Sequence, residues 1–195
     1  MRHDCTLEGA AYRIRPAVQS DAPFILSLRT DPLLSRFLHP VSGRVEDQVA
    51  WLKAYEEREG DWYWIIEQRD GTPEGTIGLY DLRPDPPHAE WGRWILRQGS
   101  QAAVESVLLL YQAAFERIGL AWVFCRTLVE NAQVVSFHDS CGLERQRMVN
   151  VAVHPEGASG DAVVHRMTRE RWAELAPGLQ SKAERVARML ERVHG

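Results

Sequence analysis

The chain has 195 residues, about one domain's worth, and can bury a core without covalent staples. With 45% hydrophobic and 26% charged residues and a formal net charge of -4, it reads as a soluble globular protein, and it has no basic excess to hold nucleic acid. No apolar run approaches the ~20 residues that span a bilayer, Met1-Arg2-His3-Asp4 opens without an apolar leader, and Cys5, Cys125 and Cys141 are an odd set without CxxC spacing. A cytoplasmic chain with free thiols is expected, with neither nucleic acid nor membrane as a partner.

Tyr12-Arg13-Ile14-Arg15 alternates apolar and charged residues and predicts a strand that Pro16 ends. Ser20 and Asp21 suit the cap of a helix with Phe24, Ile25 and Leu28 on one face. Phe37 to Gly43 reads as a loop, and Val45, Val49 and Leu52 mark a second helix. The aromatic, β-branched run Trp62 to Glu67 predicts a strand. Asp70-Gly71 is a turn signal, and Gly75 to Leu82 is the next strand. Arg83-Pro84-Asp85-Pro86-Pro87 breaks the chain before a strand over His88 to Leu96, so the three strands form an antiparallel meander.

The longest helical pattern runs from Gln101 to Ile118, with Val104, Val107, Leu108, Tyr111 and Phe115 on one stripe and Gly119 as its stop. A strand over Trp122 to Val129, a short helix over Asn131 to Cys141, and two strands, Glu144 to His154 and Asp161 to Thr168, follow. A final helix from Gly178 carries Leu179, Ala183, Val186, Leu190 and Val193 on a stripe that either packs on the domain or forms a homodimer contact. The order predicts an α/β fold, with a mixed, mostly antiparallel central sheet of six to seven strands flanked by helices. One domain over 1–177 and a C-terminal helical extension over 178–195 are expected.

Chemistry concentrates at the junction Trp94-Ile95-Leu96-Arg97-Gln98-Gly99-Ser100-Gln101-Ala102-Ala103. A loop of small residues feeding a helix start offers free N–H groups and the positive end of a helix dipole to an anion such as pyrophosphate. A loop that only caps a helix has the same appearance.

The surrounding residues separate the two. Ala89-Glu90-Trp91-Gly92-Arg93-Trp94-Ile95, the phosphate-type loop, Ala114-Phe115-Glu116-Arg117-Ile118-Gly119-Leu120, Val129-Glu130-Asn131 and Phe137-His138-Asp139-Ser140-Cys141-Gly142-Leu143 stand in a fixed order. Together they resemble the GNAT superfamily of N-acetyltransferases over roughly residues 11 to 170. The resemblance implies acetyl-CoA as cosubstrate, held by backbone of Trp94, Ile95 and Leu96, by Gln98, Gly99, Ser100, Gln101, Ala102 and Ala103, and by Asn131. Where the family has a middle glycine in this loop, the chain has Gln101, which either crowds the phosphates or donates its amide to them. Arg29-Thr30-Asp31-Pro32, Phe37, the helix over Asp47 to Leu52 and the aromatic strand look like the nucleotide-sugar N-acetyltransferases of pseudaminic-acid synthesis, and RimJ/RimL-type acetyltransferases share many of these features. The acceptor implied is a small-molecule amine or a nucleotide sugar. A protein amine, or a non-catalytic acyl-CoA-binding module, is the alternative.

Amide formation needs a deprotonated amine, a stabilised thioester oxygen and a proton or donor for the departing thiolate. The resemblance implies direct attack without an acyl-enzyme. His138 stands where many relatives place a tyrosine that protonates the thiolate, and it is the candidate acid, a histidine pKa lying near neutrality; a helix residue without chemistry is the other reading. Glu90 and His88 are the candidate bases; a solvent-facing strand charge is the other reading of Glu90, and a loop residue that of His88. Trp62, Trp64, Tyr80 and His88 are candidates to line the acceptor pocket, although strand aromatics are more often core. His3, His39, His154, His165 and His194 show no ligand spacing, so no metal is expected. Cys125 and Cys141 read as packing residues.

Overall fold

The computed structural model describes residues 3–152 and 159–194. His154, the Gly/Pro segment after it and the side chain of Val193 lie outside the described residues. Eight strands make one sheet in the order β1-β2-β3-β4-β5-β6-β8-β7. These are β1 (Leu7–Glu8), β2 (Tyr12–Pro16), β3 (Trp62–Gln68), β4 (Pro73–Pro84), β5 (Pro87–Leu96), β6 (Trp122–Leu128), β7 (Glu144–Ala152) and β8 (Ser159–Thr168). Every neighbouring pair is antiparallel except β5 and β6. The expected meander is β3-β4-β5. The eighth strand is the two-residue β1, too short for a periodic signal.

Pro23 in the first turn starts α1 (Ala22–Thr30), because its missing N–H has no intrahelical duty there. Asp21 does precede α1, but its carboxylate is spent elsewhere: it accepts from Arg15 and from the Val18 N–H. Helix α2 (Val45–Tyr55) packs with α1 on Tyr63 and Ile65 of β3, forming a satellite core on one sheet face.

The main core fills the opposite face beneath α3 (Ala103–Gln112). Val107, Leu108, Tyr111 and Phe115 are all buried there, as their spacing predicts. The helix begins at Ala103 rather than Gln101, and it widens to π-helical bonding over Ala113–Ile118 before Gly119 ends it at φ 85°. Helix α4 (Ala132–Ser140) follows β6.

Helix α5 runs unbroken over Arg169–His194 with Pro177 inside it. The extension expected from residue 178 is the second half of this helix. Trp172, Leu179 and Ala183 belong to the main core, and Leu190 packs partly buried against it. Burial of one such large side chain contributes ~1.5–3 kcal/mol.

Candidate active site

Strands β5 and β6 pair over three positions only: His88 with Trp122, Ala89 with Val123, and Glu90 with Phe124. Beyond Glu90 the ladder stops and the strands part. The cause lies on the other side of β5, where its pairing with β4 shifts register twice, between Thr76 and Gly78 and between Tyr80 and Arg83. Arg93 sits at φ 50° and Asp81 at φ 55°, both in the left-handed region. Such irregularities bend a strand away from its neighbour.

The parting opens a cleft of about 720 Å³. Its walls carry Tyr80 of β4, Glu90 to Trp94 of β5, Cys125 to Leu128 of β6, and Asn131, Val134 and His138 around α4. Arg29 closes it from the last turn of α1, Phe37 and His39 from the segment after α1, and Asn150 to Ala152 from β7.

Glu90 is buried at the fork, and both its oxygens accept from Arg126, the Nε contact measuring 3.0 Å. On the other wall the Arg93 guanidinium pairs bidentately with Asp61 and lies 4.4 Å from the Tyr80 ring centroid. Burial, and then the nearby Glu90, push the Tyr80 phenol up, so it stays protonated. Burial likewise raises the Cys125 thiol well above its ordinary range, which fits a packing role.

His138 is buried, its ring 5.1 Å from Trp91 and 5.3 Å from His165. Burial, and then His165, push it down to about 3. The near-neutral titration expected of it from sequence does not hold: the imidazole is neutral across the physiological range. Its Nδ1 and the Trp91 indole Nε1 are buried polar atoms with no hydrogen-bond partner among the described residues. His165, fully buried on β8, contacts Asp139 at 3.2 Å, and Asp139 pairs with Arg145.

Beyond the cleft β5 delivers Ile95 and Leu96 into the loop before α3. Gly99 takes φ 80° there and faces open space. No side chain caps the helix at Ala102, so the first-turn N–H groups of Ala103, Val104 and Glu105 remain available. The Gln101 side chain lies back on the Gly99 carbonyl at 3.2 Å and is exposed. Gln98 reaches Asp31 at 3.3 Å, tying the loop to the end of α1. The Glu105 carboxylate turns away from the loop, accepting from the N–H groups of Ala10, Ala11 and Tyr12. Open backbone N–H groups at a helix start suit an anion such as a pyrophosphate, and the cleft beside them carries two buried polar atoms, His138 Nδ1 and Trp91 Nε1.

The structure therefore brings together Glu90, Trp94, Tyr80, Asn131 and His138 in one cleft, with Gln98 to Ala102 on the loop that follows β5 and Ala103 opening α3. Asn131 stands at the helix start, but its side chain makes no cap bond. Trp64 does not line the cleft. It is fully buried in the main core, with Nε1 donating to the Cys5 carbonyl at 2.8 Å. Trp62 packs partly buried on the same core. His88 lies outside the cleft, stacked 3.9 Å from Trp122. Sequence reasoning missed Arg126, Arg93 and His165. The first two carried only the signal of charges on strands, and His165, between Val164 and Arg166, that of one more polar residue on a strand.

The sequence profile of the acetyltransferase (GNAT) domain matches residues 12–144. The chain belongs to the GNAT acetyltransferase family. Among solved structures, this GNAT chain is similar to FdhC, described as a nucleotide-linked sugar GNAT, at 28% identity and TM-score 0.76, over 88% of this chain and 94% of that one. It shares its fold with spermidine N-acetyltransferase from Vibrio cholerae, solved with CoA and spermine, at 16% identity and TM-score 0.74, over 83% of this chain and 98% of that one. Among curated protein sequences none matches. No helix among the described residues is long and apolar enough to cross a membrane.

Proposed function

We propose that this GNAT chain is an N-acetyltransferase that moves acetyl from acetyl-CoA to a primary amine, with a nucleotide-linked amino sugar as the acceptor class. The observation that carries the reading is the parting of β5 and β6 at Glu90, next to a helix start with unsatisfied amides. FdhC, a nucleotide-linked sugar GNAT, supports the acceptor class by its likeness over most of both chains.

Acetyl-CoA supplies an acetyl group activated as a thioester. The loop Gln98 to Ala103 holds its phosphates on backbone N–H groups and the α3 dipole. Trp94, Ile95 and Leu96 offer the unpaired edge of β5 to the pantetheine arm, and Asn131 offers its uncapped amide from the opposite wall. Glu90 takes the proton of the acceptor amine, directly or through one water, while Arg126 fixes the orientation of its carboxylate. His138, being neutral, acts as a hydrogen-bond donor to the departing sulfur rather than as an imidazolium acid.

Calorimetric titration with acetyl-CoA, with NAD and ATP as controls, tests the cosubstrate. Selective binding of acetyl-CoA near micromolar Kd, about -8 kcal/mol, is expected. Equal or absent heats for all three would remove the reading.

A further inference from the structure

The sheet carries a second cavity, of about 610 Å³, on the face of β5, β6 and β8 that continues from the cover of α1 and α2. Register places its residues on one face: Glu90 opposes Phe124, and Phe124 opposes Arg166. Its floor is aromatic. Trp122 lies flat on His88 with ring planes 11° apart, and Phe124 follows at 5.7 Å. Its cationic groups are unequal. Arg126 is held by Glu90, and Arg166 contacts Glu144 at 3.2 Å while its Nε is buried with no partner among the described residues. Arg83 and Arg147 line the same cavity and have no carboxylate partner among the described residues. The cavity joins the cleft directly, because Glu90, Arg126, Asn150 and Val151 line both.

A stacking platform with two unspent guanidiniums, opening into the cleft at Glu90, matches one ligand chemistry. The geometry points to a subsite for the nucleoside diphosphate of the acceptor: the base lies on Trp122 and Phe124, the diphosphate on Arg83 and Arg147, and the sugar amine reaches Glu90. Aromatic faces take bases, and guanidiniums take phosphates bidentately. The volume falls within the ~300–1,000 Å³ of small-molecule sites. This inference rests on the acetyl-transfer reading and adds to it the part of the acceptor that carries recognition.

The test is calorimetry on the full chain with UDP, dTDP and GDP, with uridine and inorganic pyrophosphate as fragments, and with acetyl-CoA in parallel. At least one nucleoside diphosphate binds, and each fragment binds about tenfold weaker or less. Trp122→Ala and Arg147→Ala each weaken it by about tenfold, while acetyl-CoA titrates as in the parent chain, which also shows that both variants fold. Binding of acetyl-CoA with no nucleoside diphosphate binding overturns the subsite and leaves acetyl transfer standing. Loss of acetyl-CoA binding itself strikes at the function instead. Nucleotide affinity unchanged in Trp122→Ala, or light scattering that shows a dimer which Trp122→Ala splits, also overturns the subsite.

Discussion

The Arg126 guanidinium donates to both oxygens of Glu90 at the position where β5 and β6 cease to pair. The Glu90 side chain is 6% exposed and that of Arg126 43%, so the pair is buried on one side only. Removing Arg126 strands a buried carboxylate. Arg126→Met is expected to cost about 1.5–3 kcal/mol in urea unfolding. Glu90→Gln leaves Arg126 an acceptor and folds, but kcat/KM falls by about 10²-fold or more, as for loss of a general base. An unchanged kcat/KM in Glu90→Gln across pH would exclude Glu90 as the base.

His138 gives the fold an acid-side liability. In the unfolded chain it titrates near 6.5, and in the folded chain it is pushed down to about 3 by burial and by His165. Between these values the unfolded state binds the proton and the folded state does not, so the stabilisation is complete above pH ~6.5 and is lost as pH falls toward 3. His165, also lowered by burial, adds to the same slope. Urea midpoints measured from pH 7.5 to pH 4.5 should drop less steeply in His138→Phe than in the parent. Parallel slopes would show that His138 takes up its proton while folded.

The loop departure at Gln101 is benign in this geometry, because the side chain rests on Gly99 and is exposed. Gln101→Gly should change the acetyl-CoA Kd by less than about threefold, under ~0.7 kcal/mol. Gly99→Ala places a Cβ at φ 80°. The left-handed cost of ~1–2 kcal/mol is carried by the folded chain before acetyl-CoA binds, so it should appear as a lowered urea midpoint.

Arg93 combines a left-handed backbone, a bidentate pair with Asp61 and rings of Trp51, Tyr63 and Tyr80 within 5.5 Å. Breaking a pair this buried costs about 3–5 kcal/mol. Arg93→Lys keeps the charge but neither the fork nor the planar stack, so thermal unfolding should place it near Arg93→Ala rather than near the parent.

Truncation after Pro177 removes Leu179 and Ala183 from the main core. The shortened chain should fail to give a cooperative unfolding transition, and Leu179→Ala in the full chain should cost about 2–5 kcal/mol. A truncated chain of parental stability would make the second half of α5 dispensable.

Much of this was legible in the residues. Alternation at Tyr12 to Arg15 and the stripe of Val107, Leu108, Tyr111 and Phe115 report faces that the structure buries, because period and burial are the same fact seen twice. Pro177 hid the first turns of α5, since a proline normally breaks a helix, yet here Trp172 and Leu179 pack on either side of it. Trp62 to Ile66 is apolar on both faces, so no period could say that Trp64 points to the main core and Tyr63 to α1 and α2. The candidate site was legible where it rests on local chemistry, as at Gly99 and the start of α3. It was hidden where it rests on pairing across the sheet: the Glu90–Arg126 contact spans 36 residues, and the neutrality of His138 follows from burial by Trp91 and His165.

The central claim is acetyl transfer to an amine at the fork of β5 and β6. Its most direct test is one incubation of the chain with carbon-labelled acetyl-CoA and a panel of amines that includes UDP- and dTDP-linked amino sugars, following thiol release and label together. The account predicts free thiol and labelled amide in equal amounts with a nucleotide-linked amino sugar, both abolished in step by Glu90→Gln. Thiol release without amide, or no turnover with any amine despite acetyl-CoA binding, would contradict it.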